Sequence, residues 1–263
     1  MSQAAARALQ VLEYVSCSGP ASLGQIAGDL GFNKSTTHRL LESLVSTGFV
    51  SQQPESRLYR CTTKVVQLSG NVLDQLEVRD VARPTLEALA SSTAETAHLA
   101  VLEDQEIVYI DKVEGRQAMQ LSSRVGARGT LHSTALGKTL LAARPEEEWE
   151  RYLRTRGLVA RTSRTITDPE RFRAELESVR SRGYAIDDIE NEEGIRCVAA
   201  PVRDHTGQVT AAVSLAGWTK SMTRRRVTSL ARELLDAVAA TSAKLGFVEV
   251  RSADGSSIST GQH

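Results

Sequence analysis

Small polar and basic side chains crowd the segment Asn33-Lys34-Ser35-Thr36-Thr37-His38-Arg39. Ser35, Thr36, His38 and Arg39 suit contact with base edges or phosphates, since hydroxyls and imidazole both donate and accept and an arginine grips guanine through two parallel hydrogen bonds. Lys34 adds a point charge for a phosphate, and a helix beginning at Asn33 would add backbone amides that attract one. Arg57 and Arg60, further along, are placed to flank the minor groove or the backbone. A plain three-helix packing unit shows similar residue stripes, and local charge decides between the two. From Gly31 to Lys64 the bases Lys34, Arg39, Arg57, Arg60 and Lys64 exceed the acids Glu42 and Glu55 by three. That excess is an electrostatic footprint for DNA. Over the whole chain 32 basic and 32 acidic residues cancel, which excludes a histone-like, globally basic binder.

A second constellation lies in the other half. Asp187 and Cys197 flank an acidic loop, Asp187 to Glu193, that ends at Gly194, and Gly126 frees a backbone amide for close approach. Converging polar groups of this kind suit a small-molecule pocket, while the loop alone reads equally as a solvated connection. Cys197 would be a nucleophile or redox thiol if Arg196 or His132 lowered its pKa, but a cysteine inside a Val/Ala strand fits better as a small buried apolar residue. Its resolving partner would have to be Cys17 or Cys61 in the other domain. His98, His132 and Cys197 have no metal-ligand spacing, so no metal or other cofactor is expected, and His132 reads as a cap of the helix it precedes. The arginines Arg151, Arg154, Arg156, Arg161 and Arg164 read as solvated helix and loop surface or as a subunit contact.

The elements that position these groups follow from periodicity. The stripe Ala5, Ala8, Leu9, Leu12 and Val15 predicts a helix stopping before Gly19-Pro20. Ser22 with Gln25 forms a capping box for a two-turn helix ended by Gly31, and Asn33 caps a third helix with inner face Thr37, Leu40, Leu41 and Leu44. Two short strands, 49–51 and 57–60, surround a turn at 53–56, and a connecting helix runs from Thr63 to about Glu77. A helix through Pro84, Leu86 and Leu89 leads into strands 96–102, 107–113 and 117–123. Helices at 133–143 and 168–182, strands at 184–187, 195–203 and 209–216, and a final helix carrying Val227, Leu230, Leu234 and Val238 complete the pattern. The fold class is α+β in two domains: residues 1–62 reading DNA, a linker helix at 63–78, a domain at 79–250, and a disordered tail at 251–263.

With 263 residues, the chain exceeds one domain of ordinary size. Three scattered cysteines without a CxxC pair argue against a disulfide framework and for a reducing compartment. No apolar run approaches the about 18 residues that span a bilayer, and residues 1–10 lack the apolar core of an export signal, so a cytoplasmic protein with no membrane partner is expected.

The run Ser22-Leu23-Gly24-Gln25-Ile26-Ala27 through Asn33-Lys34-Ser35-Thr36-Thr37-His38-Arg39-Leu40-Leu41, with Leu44, Gly48 and Phe49, resembles the winged helix-turn-helix of IclR-family bacterial transcription regulators. Val125-Gly126-Ala127, Leu131 to Lys138, Gly183 to Asp188 and Gly194 to Val202 look like that family's effector-domain motifs in their usual order. The resemblance covers about residues 4 to 246. It implies an amino-terminal DNA reader and a carboxy-terminal effector domain of GAF-like architecture with an antiparallel sheet. It also implies a homodimer or dimer of dimers on a palindromic double-stranded operator, with a small-molecule effector, an organic acid, controlling the grip and a repressor role favoured. Carried over, Gly126 and Ala127 would offer backbone amides, Asp187 and Cys197 would line the polar end, and Ser214 would donate a hydroxyl. A second serine frequent in the family is replaced here by Ala216, and Cys61-Thr62 stands where a glycine is common after the wing. Two other readings are a cysteine-dependent GAF-like redox enzyme using Cys197, and a DNA-binding module whose second domain senses nothing.

Overall fold

Side-chain caps set the limits of the first helices. α1 (Gln3–Ser18) is followed by α2 (Leu23–Asp29), where Ser22 Oγ accepts from the Gln25 amide and the Gln25 side chain accepts in return from the Ser22 amide. α3 (Lys34–Ser46) starts at Asn33, whose Oδ1 accepts from the Thr36 amide at 2.8 Å. Both caps are the ones the spacing predicts, because a helix start leaves amides that only a nearby side-chain oxygen can satisfy without long-range help. Val11, Val15, Ile26 and Leu41, none more than 1 % exposed, form the core between the three helices. The hairpin β1 (Val50–Gln52) and β2 (Tyr59–Cys61) is antiparallel, and Tyr59 also exchanges both backbone hydrogen bonds with Ala21, which ties the wing to the turn before α2. α4 (Lys64–Leu73) follows.

The computed structural model describes residues 3–73, 77–116 and 123–248. Most of the strand expected at 117–123, the tail at 251–263 and residues 74–76 of the expected linker lie outside the described residues. The chain divides into two compact units, Met1–Gln75 and Leu76–His263.

In the second unit, α5 (Glu77–Thr93) carries Pro84 in its interior. It is followed by β3 (Thr96–Glu103), β4 (Glu106–Val113) and the two-residue β5 (Arg128–Gly129). Next come α6 (Ala135–Ala142), α7 (Glu146–Thr155), α8 (Pro169–Arg182), β6 (Ala185–Asp188), β7 (Ile195–Arg203), β8 (Val209–Trp218) and α9 (Arg224–Lys244). The strands form one antiparallel sheet in the order β5-β4-β3-β8-β7-β6. Alternation sends Cys197, Ala199, Ala212 and Ser214 to the face covered by α6 and α8, and Val198, Ala200, Val213 and Leu215 to the face covered by α5 and α9. With helices on both sides, β8 is buried along almost its whole length and reads as a near-continuous apolar run.

Three local outcomes differ from the sequence reading. The helix expected at 133–143 begins later, at Ala135, and its cap is Thr134, which accepts from the Gly137 amide at 2.9 Å. His132 is buried instead, bonding Tyr152 Oη at 2.8 Å and the Val159 carbonyl at 2.9 Å. α7 falls in the stretch taken as arginine-rich surface: Trp149 and Tyr152, three residues apart, bury one face, and Trp149 Nε1 donates to the Leu141 carbonyl.

Candidate effector site and nucleic-acid interface

In the first unit Lys34, Ser35, His38 and Arg39 are exposed on α3, Thr36 is half-buried, and Thr37, Leu40, Leu41 and Leu44 face the core. The amino turn therefore presents its polar side outward. Part of that polarity is already committed: Ser35 Oγ donates to Asn33 Oδ1 at 2.9 Å, and His38 Nδ1 lies 3.5 Å from Glu42 one turn on. Arg57 and Arg60 are exposed on the wing, Arg57 with a left-handed φ of 57° at the tight end of the hairpin. Lys64, counted with the local positive excess, turns inward. Its ammonium donates to the Thr47 carbonyl at the carboxy end of α3 and lies over the Phe49 ring.

In the second unit a cavity of about 290 Å³ opens on the α6 face of the sheet, and every strand contributes to its wall. Arg128 and Gly129 come from β5, Glu106 and Tyr109 from β4, His98 from β3, Ser214 and Ala216 from β8, Ile195 and Cys197 from β7, and Asp187 from β6. Register explains the grouping. Asp187 pairs with Cys197, Cys197 with Ala216, and Ser214, two residues before Ala216 on the same face, pairs with His98. Ala127 also lines the cavity; Gly126 does not. Neither residue offers the free amide expected of it. The Gly126 amide donates to the Tyr109 carbonyl at 2.8 Å and that of Ala127 to the Arg124 carbonyl at 3.0 Å, because this turn is hydrogen-bonded to β4 and to itself.

Burial sets the electrostatics of the wall. Asp187 is 2 % exposed, and loss of solvent pushes its carboxyl up to about 7, against the amides of Glu190 (2.6 Å) and Asn191 (3.3 Å) that donate to Oδ1. The Cys197 thiol is pushed well above its ordinary range by burial and then by the Asp187 charge, which is the reverse of what a nucleophilic thiol needs. His98 is held neutral: burial, and secondarily Lys112, bring it down to about 3. Its Nε2 lies 2.7 Å from Ser123 Oγ, and its ring meets Tyr109 edge to face at 5.4 Å.

The acidic loop is held from outside the cavity. Ile189 has a φ of 67°, strained for a β-branched residue. Thr162 Oγ1 donates to its carbonyl and Thr165 Oγ1 to that of Glu190, both at 2.6 Å. Lys138, its side chain 1 % exposed, pairs with Glu190 at 2.6 Å and with Glu175 at 3.3 Å. Gly194, φ 78°, closes the loop where a Cβ would come within 2.9 Å of the Trp218 ring.

His98, Tyr109, Ser123 and Arg161 line the cavity and escaped the sequence reading as ligand contacts. His98 had been weighed only as a metal ligand, and no group of residues able to hold a metal occurs among the described residues. Arg161, taken as solvated surface or subunit contact, donates Nε to the Asn191 carbonyl at 3.3 Å. No described helix is long and apolar enough to cross a membrane.

Comparison with known proteins agrees with both units. The family description "IclR helix-turn-helix domain" matches residues 4–54, and "Bacterial transcriptional regulator IclR C-terminal" matches residues 70–243. The chain is 35 % identical over 246 residues to the HTH-type transcriptional regulator XynR of Escherichia coli K12, covering 93 % of this chain and 98 % of that one. It is 32 % identical over 238 residues to the transcriptional repressor IclR of the same organism, covering 89 % and 87 %. The crystal structure of the Thermotoga maritima IclR superposes with a TM-score of 0.80 at 35 % identity, over 94 % of this chain and all of the other. An IclR homologue from Microbacterium hydrocarbonoxydans, complexed with 4-hydroxybenzoate, superposes with a TM-score of 0.81 at 26 % identity, over 92 % and 99 %. The family and these relatives are DNA-binding transcriptional regulators, not enzymes. A capped helix with an exposed basic amino turn, a hairpin wing and a helix-flanked sheet around a polar cavity are thus found in a chain that belongs to the IclR family of bacterial transcriptional regulators.

Proposed function

We propose that this regulator is a repressor that grips a palindromic operator as a symmetric dimer and releases it when a small organic acid occupies the cavity around Asp187, Cys197 and Ser214. The observation that carries the reading is the cavity itself, to which all six strands contribute and whose polar groups His98, Tyr109, Arg128, Asp187 and Ser214 converge from five of them. Two relatives support the finer parts: one is named as a repressor, and another is complexed with 4-hydroxybenzoate, a carboxylic acid. Lys34, Ser35, Thr36, His38, Arg39, Arg57 and Arg60 are assigned to the operator. Two α3 helices of a dimer would enter successive major grooves about 34 Å apart. The effector acts by population shift, binding one arrangement of the dimer more tightly than the other.

Footprinting on the DNA upstream of its own gene, with and without a panel of metabolite acids, tests this. The expected result is a protected inverted repeat that an acid abolishes, together with a rise in Tm caused by the same acid. Protection without any acid raising Tm would favour a DNA-binding module with a non-sensing second domain.

A further inference from the structure

Two opposite charges line the cavity without an ionic partner among the described residues. Asp187 lies buried at the base. It receives the amides of Glu190 and Asn191, while the ammonium of Lys138 is committed to Glu190 and Glu175. Arg161 is exposed at the rim and makes no ion pair among the described residues, whereas Arg128, also in the lining, is paired with Glu103 and Glu106. One residue fixes both. Asn191 gives its amide to Asp187 and accepts Arg161 Nε on its carbonyl, and its own side chain is held by Ser133 Oγ at 3.0 Å. The spacing between a buried acceptor and a rim cation is therefore set by a single, well-tethered position. The amides at Gly126 and Ala127, the other donors expected for an anion, are already used within the chain.

We propose that the effector is a hydroxy acid seated with its carboxylate on Arg161 and its hydroxyl donated to Asp187, an inference that rests on the effector reading of this cavity. A guanidinium offers a carboxylate paired, charge-assisted hydrogen bonds, and a buried carboxylate is a strong acceptor for a hydroxyl. The inverted pose presses two carboxylates together in a dry site, which forces one of them to hold a proton. An ammonium in place of the hydroxyl brings three donors and a full charge that must shed its water to reach the buried Asp187.

Thermal shift and titration calorimetry on the full chain with matched acids test the assignment. The sets are lactate, propionate and alanine; 3-hydroxybutyrate, butyrate and 3-aminobutyrate; and 4-hydroxybenzoate, benzoate and 4-(aminomethyl)benzoate. The expected result is binding of a hydroxy acid with its deoxy partner weaker by about a hundredfold or more, as found for sites that hydrogen-bond a ligand hydroxyl. Arg161→Gln should weaken the hydroxy acid about tenfold or more, and Asp187→Ala should remove the discrimination between the hydroxy and deoxy partners. Equal binding of a deoxy partner, tighter binding of the amine, or an Arg161→Gln protein with unchanged affinity overturns the pose while leaving the organic-acid reading intact. Failure of every acid to bind removes that reading, and this inference with it.

Discussion

Asp187 and Asp188, neighbours on β6, present their carboxyl groups to opposite faces of the sheet and to opposite surroundings. Asp187 accepts two backbone amides beside the cavity, whereas Asp188 is held by Arg164, Arg196 and Arg224, which reach it from the segment before α8, from β7 and from the start of α9. Burial raises Asp187 to about 7. Burial alone would raise Asp188 too, but hydrogen bonds from Arg224 and Arg196 outweigh it and hold that carboxyl below the ordinary carboxylate range.

For Asp187 the raised folded pKa means that folding favours the protonated form. Its contribution to stability is present at acid pH and is lost as pH climbs from about 4, where the unfolded carboxyl titrates, to about 7. Asp187→Asn keeps an oxygen for the two amides and removes the titration. In urea unfolding the variant should lack the decline over that window and exceed the parent by about 1–3 kcal/mol at pH 8. A variant that is less stable than the parent at pH 8 contradicts the account.

Asp188 gives the opposite sign. Its depressed pKa contributes stability that is present above the unfolded value and lost on acidification through the folded one. Asp188→Asn should cost about 1–3 kcal/mol at pH 7, since three arginines lose their shared partner, and the cost should fade below about pH 4. The same urea titration at the two pH values reads the effect.

Lys138 and Glu190 are a buried ion pair, so removing one member strands the other. Lys138→Met should lower stability by about 3–5 kcal/mol, and adding Glu190→Leu should recover most of the loss because the uncompensated charge is gone. Denaturant midpoints of the two variants decide the matter, and a double variant no better than the single one counts against charge burial as the cause.

On α3, Arg39→Ala and Lys34→Ala separate base reading from phosphate contact. Arg39→Ala should weaken the operator by about 1–3 kcal/mol and relax preference at one base position, while Lys34→Ala should weaken all sequences alike and flatten the salt dependence by about one ion. Fluorescence anisotropy across a salt series with operator and scrambled duplexes measures both.

The parts legible in the sequence are those that chemistry fixes over short distances. Ser22 with Gln25, and Asn33, announce helix starts because each cap oxygen accepts from an amide three residues away. Asp187 and Cys197 stood out through the loop between them and prove to be direct cross-strand partners. What stayed hidden depends on register and on distant packing. His98 joins Ser214 only because β3 pairs with β8, more than 100 residues later, and nothing local states that pairing. Tyr109 lies on a strand whose edge neighbour, β5, is two residues long, too short for any periodic signal. α7 did leave a trace in Trp149 and Tyr152 after three glutamates, but the arginines around them dominated the pattern.

Because each strand of the sheet gives the cavity a side chain while its backbone is committed to the ladder, the choice of ligand is separable from the integrity of the fold. Exchanging Ser214, Ala216, His98 or Cys197 alters what the cavity accepts without removing a main-chain hydrogen bond. A lineage of such regulators can thus drift from one metabolite to another by single substitutions scattered along the chain, with the scaffold and the DNA reader inherited unchanged.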